Sequence, residues 1–258
     1  MDWDHLESLR RHEGEIALSV LRSIKPPPAR LIEIGGGSGW QAQEFAKAGY
    51  DVLSFDIAST EYAGNRIFPV ETYDGHHLPV EAGLADIVYS SNVLEHIPHV
   101  VAFQEELKRV LKPDGVALHL LPTATWRLWT SITHYPWVAK KTVAHLARRR
   151  PASPTSPAAG TAEPGRHAGP GGLAALRNNL IPPRHGEFGN VLSEHYYFSR
   201  WRWQRMFRQT GWRIARYTTN GLPYTGHSLL GPMLPLTVRR RLSSALGSAC
   251  HVFLLTKS

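Results

Sequence analysis

The sequence is poor in cysteine and has no long apolar run. Its 258 residues contain one cysteine, Cys250, which excludes an intrachain disulfide framework and a metal site built from several cysteines. No apolar run reaches the ~18–20 residues that a membrane-spanning helix needs. The acidic residues 1–4 lack the apolar segment of a signal peptide. We therefore expect a cytoplasmic protein in a reducing environment.

Acidic residues are scarce in the second half of the chain. Residues 1–122 hold 18 Asp and Glu against 10 Lys and Arg, whereas residues 123–258 hold 3 against 19. The net charge of +8 is therefore the sum of an acidic half and a strongly basic half. Such an asymmetry indicates either that the second half meets an anionic partner or that it contains a solvated basic insertion. Charge alone leaves both interpretations open.

Apolar strands and amphipathic helices alternate along the first half. The pattern predicts helices at 15–24, 40–48 and 101–111, and strands at 31–34, 51–55, 67–70, 85–90 and 116–121. Two further strands are predicted near the C-terminus, at 213–217 and 251–255. Because strands that alternate with crossover helices run parallel, we expect a Rossmann-like, doubly wound α/β fold with a mostly parallel, seven-stranded sheet.

A glycine-rich turn follows the first predicted strand. Gly35, Gly37 and Gly39 alternate with other residues directly before a predicted helix. Glycines let the backbone approach a ligand closely, and the amides of a helix N-terminus point towards it. A dinucleotide fingerprint would place its third glycine at position 40, which is Trp40. The spacing therefore disfavours a nicotinamide oxidoreductase and favours a nucleoside ligand without a pyrophosphate.

A carboxylate ends the second predicted strand. Asp56 lies 21 residues after Gly35, at the carboxyl end of that strand. Its two acceptor oxygens suit the two hydroxyls of a ribose. An aspartate at a strand end also forms turns, but its register with the glycine turn favours the ribose role.

Four segments, in order, resemble the motifs of class I S-adenosylmethionine-dependent methyltransferases, in particular the small-molecule, type-11-like domain. They are the first motif LIEIGGGSG (31–39), the adenine-binding segment YDGHHLP (73–79), the fourth-strand motif ADIVYSSNVLEH (85–96) and the turn RVLKPDG (109–115). The resemblance covers residues 30–122 well and 196–258 loosely. It implies a methyltransferase with S-adenosylmethionine as its cofactor.

The resemblance assigns the glycine turn to the cofactor. Glu33 would help to hold this turn and the methionine amino end. Gly35 and Gly37 would pass close to the cofactor, and Gly39 would allow tight packing. These roles are expectations that the resemblance carries over by position.

The resemblance also assigns five residues beyond the turn. Asp56 would bind the ribose, Asp74 would accept a hydrogen bond from the adenine amino group, and the Gly75 amide would face the ring edge. Ser91 and Asn92 would lie near the methionine portion. For Asp74 an ordinary Asp-Gly turn is the alternative.

Histidines are the candidate catalytic residues. Methyl transfer from a sulfonium is an in-line displacement, so the protein mainly aligns the reactants, although a hydroxyl acceptor usually also needs a base. His96 follows the fourth strand and His195 lies where the insertion returns to the core; His185 and His227 are weaker candidates. A packing role is the alternative for His96. No dense cluster of histidines and carboxylates shows metal-ligand spacing, so no metal site is predicted.

The change of composition after residue 122 predicts three parts. Residues 1–122 would form the Rossmann-like, cofactor-binding part. Residues 123–200 would form a basic, aromatic insertion or lid between the fifth strand and the last helix, with a disordered loop at about 148–172. Residues 201–258 would supply a helix and strands that complete the sheet.

Tryptophan and arginine interleave in the second half, which bears on partners. Such surfaces suit a membrane interface or nucleic acid, unless the aromatic rings simply pack while the arginines stay in water. We expect a small-molecule, glycan or lipid-linked acceptor and peripheral contact with an anionic membrane on its inner face. An RNA methyltransferase is a weaker alternative, because no RNA-binding module is recognisable. A non-catalytic cofactor-binding module is another. The atom methylated and the oligomeric state stay open.

Overall fold

Seven strands form one sheet in the computed structural model, which describes residues 3–58, 66–148, 181–227 and 231–258. In chain order they are β1 (Arg30–Ile34), β2 (Asp51–Asp56), β3 (Glu71–Thr72), β4 (Ala85–Ser91), β5 (Leu111–Pro122), β6 (Trp212–Thr219) and β7 (Cys250–Lys257). Across the sheet their order is β3-β2-β1-β4-β5-β7-β6.

Every neighbouring pair from β3 to β5 is parallel, while β7 runs antiparallel to both β5 and β6. From β1 the chain moves outward through β2 to β3 and then returns to β4 on the other side of β1. This reversal creates a switch point between β1 and β4, where ligands of such sheets bind. The predicted doubly wound, mostly parallel α/β sheet is confirmed.

The third strand differs from its prediction. It was expected at 67–70, whereas β3 is only two residues long and pairs with β2. Pro69, in the middle of the predicted run, has no N–H to give to a strand ladder. The carbonyl of Val70 instead accepts a hydrogen bond from Arg66 Nη1 at 2.8 Å. The apolar run therefore precedes the strand, and only Val70 of its four residues is buried.

Seven helices surround the sheet within the described residues. They are α1 (Trp3–Ile24), α2 (Trp40–Lys47), α3 (Val100–Val110), α4 (Ala124–Arg148), α5 (Glu194–Tyr197), α6 (Arg200–Gln209) and α7 (Leu236–Leu246). Short 3₁₀ helices lie at Leu94–His96 and Gly231–Met233. The predicted helices are present, although α1 begins well before residue 15. The helix α7, which the sequence analysis did not predict, follows the insertion and the helix expected to be last.

The unpredicted α7 carries an arginine that is structural. Arg239 is buried and donates hydrogen bonds to the carbonyls of Pro223, Gly231 and Leu234. Its charge therefore satisfies backbone acceptors of the preceding loop.

Both faces of the sheet are buried, as expected for a doubly wound fold. On one face α1 and α2 pack Leu21 and Phe45 against Ile87 and Tyr89 of β4. On the other face α3 and α6 contribute the members of a larger core that includes Val88, Phe103, Trp203, Trp212 and Phe253. Alternate residues of β4 thus point to opposite layers, which fixes its register. Trp203 and Trp212 are core residues rather than ligands of a partner.

The insertion is described only in part. Its first part is the helix α4, with Pro136 inside the helix. The loop predicted at 148–172 lies outside the described residues except for residue 148. Among the helices that the structure describes, none has the length and hydropathy needed to cross a membrane. The division into three parts stays a prediction, although β6 and β7 join the same sheet as β1 to β5.

Candidate functional site

A cavity of about 750 Å³ opens at the carboxyl ends of β1, β2 and β4. This is the switch point of the sheet, so the topology itself creates the opening. Its walls are formed by five short segments and four single residues. The segments are 35–38, 40–41, 56–57, 91–93 and 96–99, and the single residues are Arg10, Ile67, Tyr73 and Gly75. Six of the nine predicted cofactor-binding residues lie in these walls. The other three, Glu33, Gly39 and Asp74, lie beside or beneath them.

The glycine turn leaves no room for side chains. Gly35 has a φ of 77°, and a Cβ placed there would lie 2.3 Å from Val93. Gly39, at the start of α2, has a φ of 81°, and a Cβ there would lie 2.7 Å from Phe68. Both positions demand glycine for conformation and for space. Gly39 therefore lies close to Phe68, and its role in the cofactor site stays a prediction.

Asp56 connects the glycine turn to the second strand. Its Oδ2 accepts a hydrogen bond from the Gly37 amide at 2.7 Å, and its Oδ1 accepts one from the Ile57 amide at 2.8 Å. Each carboxylate oxygen has a second lone pair, so the group can still accept hydrogen bonds from a ligand in the cavity. The predicted partners thus lie together, and the ribose role stays a prediction.

Glu33 lies beneath the turn and outside the cavity wall. It is buried, and Ser54 Oγ donates a hydrogen bond to its Oε2 at 2.6 Å. A Cβ on Gly36 would lie 3.2 Å from the same oxygen. Burial raises the pKa of Glu33 to about 7, against the lowering effect of the Ser54 hydrogen bond. Glu33 is placed to support the turn; contact with a methionine group stays a prediction.

Asp74 caps its own turn. Its Oδ1 accepts hydrogen bonds from the amides of His76 and His77, each at 2.7 Å, and these bonds hold its pKa below the usual range. Gly75 is the residue of this segment that reaches the cavity, where its carbonyl lies 3.0 Å from His99 Nε2. The geometry is that of the Asp-Gly turn named above as the alternative, and the adenine role of Asp74 stays a prediction.

Asn92 has an unusual backbone at the cavity wall. Its φ of 55° places it in the left-handed region, the one non-glycine residue found there in the described part of the chain. Its amide donates to the Leu120 carbonyl at 2.8 Å, and its Nδ2 donates to Ser91 Oγ at 3.1 Å. Strained residues cluster at functional sites, where neighbouring contacts hold them. The predicted pair Ser91 and Asn92 is thus fixed at the end of β4.

Arg10 is a cavity residue that the sequence analysis missed. It lies on α1, and its Nη1 donates to Glu13 Oε2 at 2.9 Å. Glu13 is buried, and its Oε1 accepts hydrogen bonds from Tyr224 OH at 2.6 Å, Asn220 Nδ2 at 3.0 Å and Cys250 Sγ at 3.0 Å. The network joins α1 to the C-terminal strands below the cavity. No local pattern marks Arg10, because tertiary packing alone brings α1 there.

Two histidines meet at one end of the cavity. His96 lines the wall, and the His185 ring lies 4.9 Å from the His96 ring at an angle of 70°. Trp126 of α4 lies 4.6 Å from His185, between ring centroids. His195 is on α5, away from the cavity wall, and His227 contacts Trp137 of α4. The structure thus places the weaker candidate His185 beside His96 and leaves the catalytic role predicted for His195 without a place in this wall.

Burial controls the protonation of this end. It lowers the pKa of His96 below its usual value, and together with the nearby His96 and Arg127 it lowers the pKa of His185 to about 3. It also raises the pKa of the adjacent Glu95 to about 8. Both imidazoles are therefore neutral at pH 7, so their ring nitrogens can bind a metal ion, while a pKa of about 3 makes His185 a weak proton acceptor.

A buried ion pair holds His185 in place. Glu194 Oε1 accepts hydrogen bonds from the amides of His185 at 2.6 Å and Gly186 at 2.7 Å. Its Oε2 lies 2.8 Å from Arg127 Nε, and both side chains are almost fully buried. Glu194, which precedes His195 in the sequence, therefore holds the backbone of His185. We see no sequence signal for this link, because it joins α4, α5 and a loop.

Comparison with known families agrees with the motifs. Residues 9–153 match the model of a methyltransferase domain family. An uncharacterized methyltransferase of Mycobacteroides abscessus is 35% identical over 97 residues, which cover 34% of this chain and 38% of that protein. The biotin biosynthesis bifunctional protein BioHC of Cellvibrio japonicus is 29% identical over 143 residues, covering 52% and 28%. The matches thus span well under half of these relatives.

Solved structures share the fold at low sequence identity. An S-adenosylmethionine-dependent methyltransferase from Mesorhizobium loti aligns with a TM-score of 0.51 and 14% identity, over 92% of this chain and 95% of that one. The PH0226 protein from Pyrococcus horikoshii aligns with a TM-score of 0.52 and 12% identity, over 96% and 91%. At this identity the likeness concerns the fold alone.

Proposed function

Because the chain belongs to the methyltransferase domain family, we propose that it transfers a methyl group from S-adenosylmethionine to a small-molecule, glycan or lipid-linked acceptor. The observation that carries this proposal is the junction of Gly37 and Asp56 in the cavity wall, where a backbone amide and a carboxylate meet. When bound, S-adenosylmethionine supplies a methyl group on a positively charged sulfur.

The residues of the cavity fit this cofactor. Gly35 lets the turn pack against Val93 at the cavity wall, and Asp56 offers acceptors for ribose hydroxyls. Tyr73 and Ile57 give the neighbouring wall an apolar surface suited to an adenine ring. The Arg10 guanidinium in the cavity wall supplies a cation for the carboxylate of the cofactor's methionine portion.

The acceptor would lie at the end formed by His96, His185 and Trp126. His96 follows β4, whereas His185 and Trp126 belong to the insertion, so the insertion packs against the end of the cavity where His96 lies. Their rings would position the acceptor and exclude water, which is the main demand of an in-line displacement. The general-base role of His96 stays a prediction.

An exposed apolar row on α4 supports an amphipathic or lipid-linked acceptor. Leu128, Ile132, Tyr135 and Val143 recur at helical spacing, with exposed fractions of 45%, 48%, 55% and 67%. The exposed Lys140 and Lys141 lie in the same part of the helix. Apolar and basic side chains on one helix suit contact with an anionic membrane surface.

Calorimetry with S-adenosylmethionine tests the cofactor site. We expect saturable binding by the intact chain and at least a tenfold loss in Asp56→Ala, because the ribose loses its acceptor. Asp114→Ala, which changes a surface carboxylate paired with Lys25, is the matched control and should bind like the wild type. No binding by the folded wild type would refute the proposal. Labelled S-adenosylmethionine with fractionated extract would then show whether label enters lipid, glycan, RNA or protein.

The RNA alternative has less support from the structure. Three arginines of α6 lie over the chain's own rings: Arg200 over Tyr217, Arg202 over Trp203 and Arg205 over Trp201, at 3.9 to 5.5 Å. Rings covered in this way offer less surface for stacking with bases. Label recovered in RNA would favour this alternative, and cofactor binding without turnover would favour a non-catalytic module.

A further inference from the structure

We propose that Glu95, His96 and His185 form a binding site for a divalent metal ion of the zinc class, at the acceptor end of the cavity. One ligand atom of each side chain lies within 4.8 Å of the other two, and His96 Nε2 lies 3.8 Å from Glu95 Oε1. Two imidazoles and a carboxylate are a donor set that zinc and iron(II) use. The ligands come from two segments that are distant in the chain, so the spacing of residues in the sequence predicts no metal site.

The lack of hydrogen bonds to the buried Glu95 carboxylate supports the metal site independently. The residue is 2% exposed, and neither of its oxygens has a hydrogen-bond partner within the described part of the chain. A buried polar group without a partner is costly, so such groups usually have a ligand or an ion. Two imidazoles beside an unpartnered carboxylate offer that ion a complete set of donors.

The geometry needs only a small adjustment. Bonds of about 2.1 Å in a tetrahedral site place ligand atoms about 3.4 Å apart. The side chains must therefore move inwards by about 1 Å, which rotations about their χ angles allow. His96 is 44% exposed in its side chain, so it has room to rotate.

The supporting contacts hold the two segments together. The amide of Glu187 donates to the Glu95 carbonyl at 2.8 Å, which ties the His185 loop to the 3₁₀ helix Leu94–His96. Glu194, itself paired with Arg127, accepts hydrogen bonds from the loop amides on the other side. Metal sites depend on outer contacts of this kind to orient their ligands.

An open coordination position would face the acceptor. Three protein ligands leave a catalytic ion room for one more, and His96 borders the cavity. The inference rests here on the proposed function and narrows it to an acceptor that carries a hydroxyl. The ion would hold the hydroxyl oxygen and lower the pKa of the O–H group, whose proton would pass to a water molecule. That oxygen would then form a bond to the methyl carbon as the carbon–sulfur bond of S-adenosylmethionine breaks, and the electron pair of that bond would stay on the sulfur of S-adenosylhomocysteine, which leaves.

Metal binding is measured on the full chain after treatment with a chelator and dialysis. We expect calorimetry to give one equivalent of Zn²⁺ with a micromolar or tighter Kd. Co²⁺ in its place should give the visible absorption of a tetrahedral or five-coordinate site. His185→Ala and Glu95→Gln should each weaken Zn²⁺ binding at least 100-fold. His195→Ala, the same change on α5, should bind Zn²⁺ like the wild type. Circular dichroism confirms that each variant is folded.

Three results would overturn the inference. They are the absence of saturable Zn²⁺ and Co²⁺ binding, an equal loss in His195→Ala, or full methyl transfer by metal-free protein, which would make the three residues a proton-handling group. S-adenosylmethionine is titrated into the same metal-free samples. Zn²⁺ binding without cofactor binding would refute the proposed function alone, whereas cofactor binding without Zn²⁺ binding would refute only the metal site.

Discussion

The two ends of the cavity are built in different ways. At the cofactor end, one turn and one strand end provide the groups, and Gly37 and Asp56 meet through a single backbone hydrogen bond. At the end proposed for the acceptor, called the acceptor end below, His96, His185 and Trp126 come from three segments, and a buried ion pair between α4 and α5 holds them. The first end depends on local backbone conformation and the second on tertiary packing. Mutations at the two ends should therefore fail in different ways.

The largest effect is expected at the acceptor end. Arg127→Met should destabilise the protein by about 3–5 kcal/mol, because it leaves Glu194 buried without its ionic partner. The double variant Arg127→Met/Glu194→Gln should recover part of this loss, since no uncompensated charge remains. Urea unfolding measures both. A change below 1 kcal/mol in the single variant would show that this pair does not hold the acceptor end.

The next effect concerns Glu33 and pH. Because the folded state raises its pKa from 4.5 to about 7, the protein should lose stability as pH rises between these values and lose no more above them. Glu33→Gln cannot ionise. Its free energy of unfolding relative to the wild type should therefore increase by about 2–3 kcal/mol between pH 5 and pH 8. Urea unfolding at the two pH values measures this.

Glu71→Gln is the control for that experiment, since it changes an exposed carboxylate at the start of β3. It should show no such dependence on pH. A parallel pH response of Glu33→Gln and the wild type would mean that Glu33 is ionised beneath the turn without cost.

Two glycines with similar φ angles, Gly35 in the glycine turn and Gly83 outside the cavity, separate the effect of crowding from that of backbone conformation. Gly35→Ala should cost about 2–4 kcal/mol and abolish measurable cofactor binding, because its Cβ meets Val93 at a positive φ. Gly83→Ala has a similar φ of 69° but open space around the Cβ, and it should cost about 1 kcal/mol with normal binding. Thermal unfolding and calorimetry distinguish them, and equal losses would contradict the crowding of the turn.

The smallest effect on stability is expected on the exposed face of α4. Leu128→Ser/Ile132→Ser should change folding stability by no more than about 0.5 kcal/mol but should weaken flotation with anionic vesicles about tenfold. Val101→Ser, an exposed apolar position on α3, serves as the control and should float like the wild type. Unchanged flotation of the α4 variant would remove the support for a membrane-facing helix.

The same contrast explains how much the sequence could predict. The sheet, the glycine turn and Asp56 follow from local patterns, because periodicity and backbone conformation are local properties. Along the chain, β1, β4 and β5 follow in the order of the family motifs that the sequence contains. Pro69 shows where the local pattern misleads. The apolar run 67–70 predicts a strand, but proline has no N–H to donate to a strand ladder.

The acceptor end could not be predicted in the same way. The sequence favours His195 over His185 as the catalytic residue. In the structure, Glu194, the neighbour of His195, accepts a hydrogen bond from the His185 amide and holds the loop of His185. Arg10 reaches the cavity only because α1 packs on the sheet, and the group of Glu95, His96 and His185 joins the end of β4 to the insertion. Contacts between distant segments leave no periodic trace in a single sequence.

The position of β7 has a consequence for biosynthesis. This strand lies between β5 and β6, and Cys250 at its start completes the contacts of Glu13 below the cavity. A growing chain on the ribosome therefore keeps an open gap in its sheet until residues 250–257 have emerged, and long-range pairing of this kind forms slowly. We expect nascent chains that end before residue 250 to remain on chaperones and to reject the nucleoside, because β5 and β6 have no strand between them.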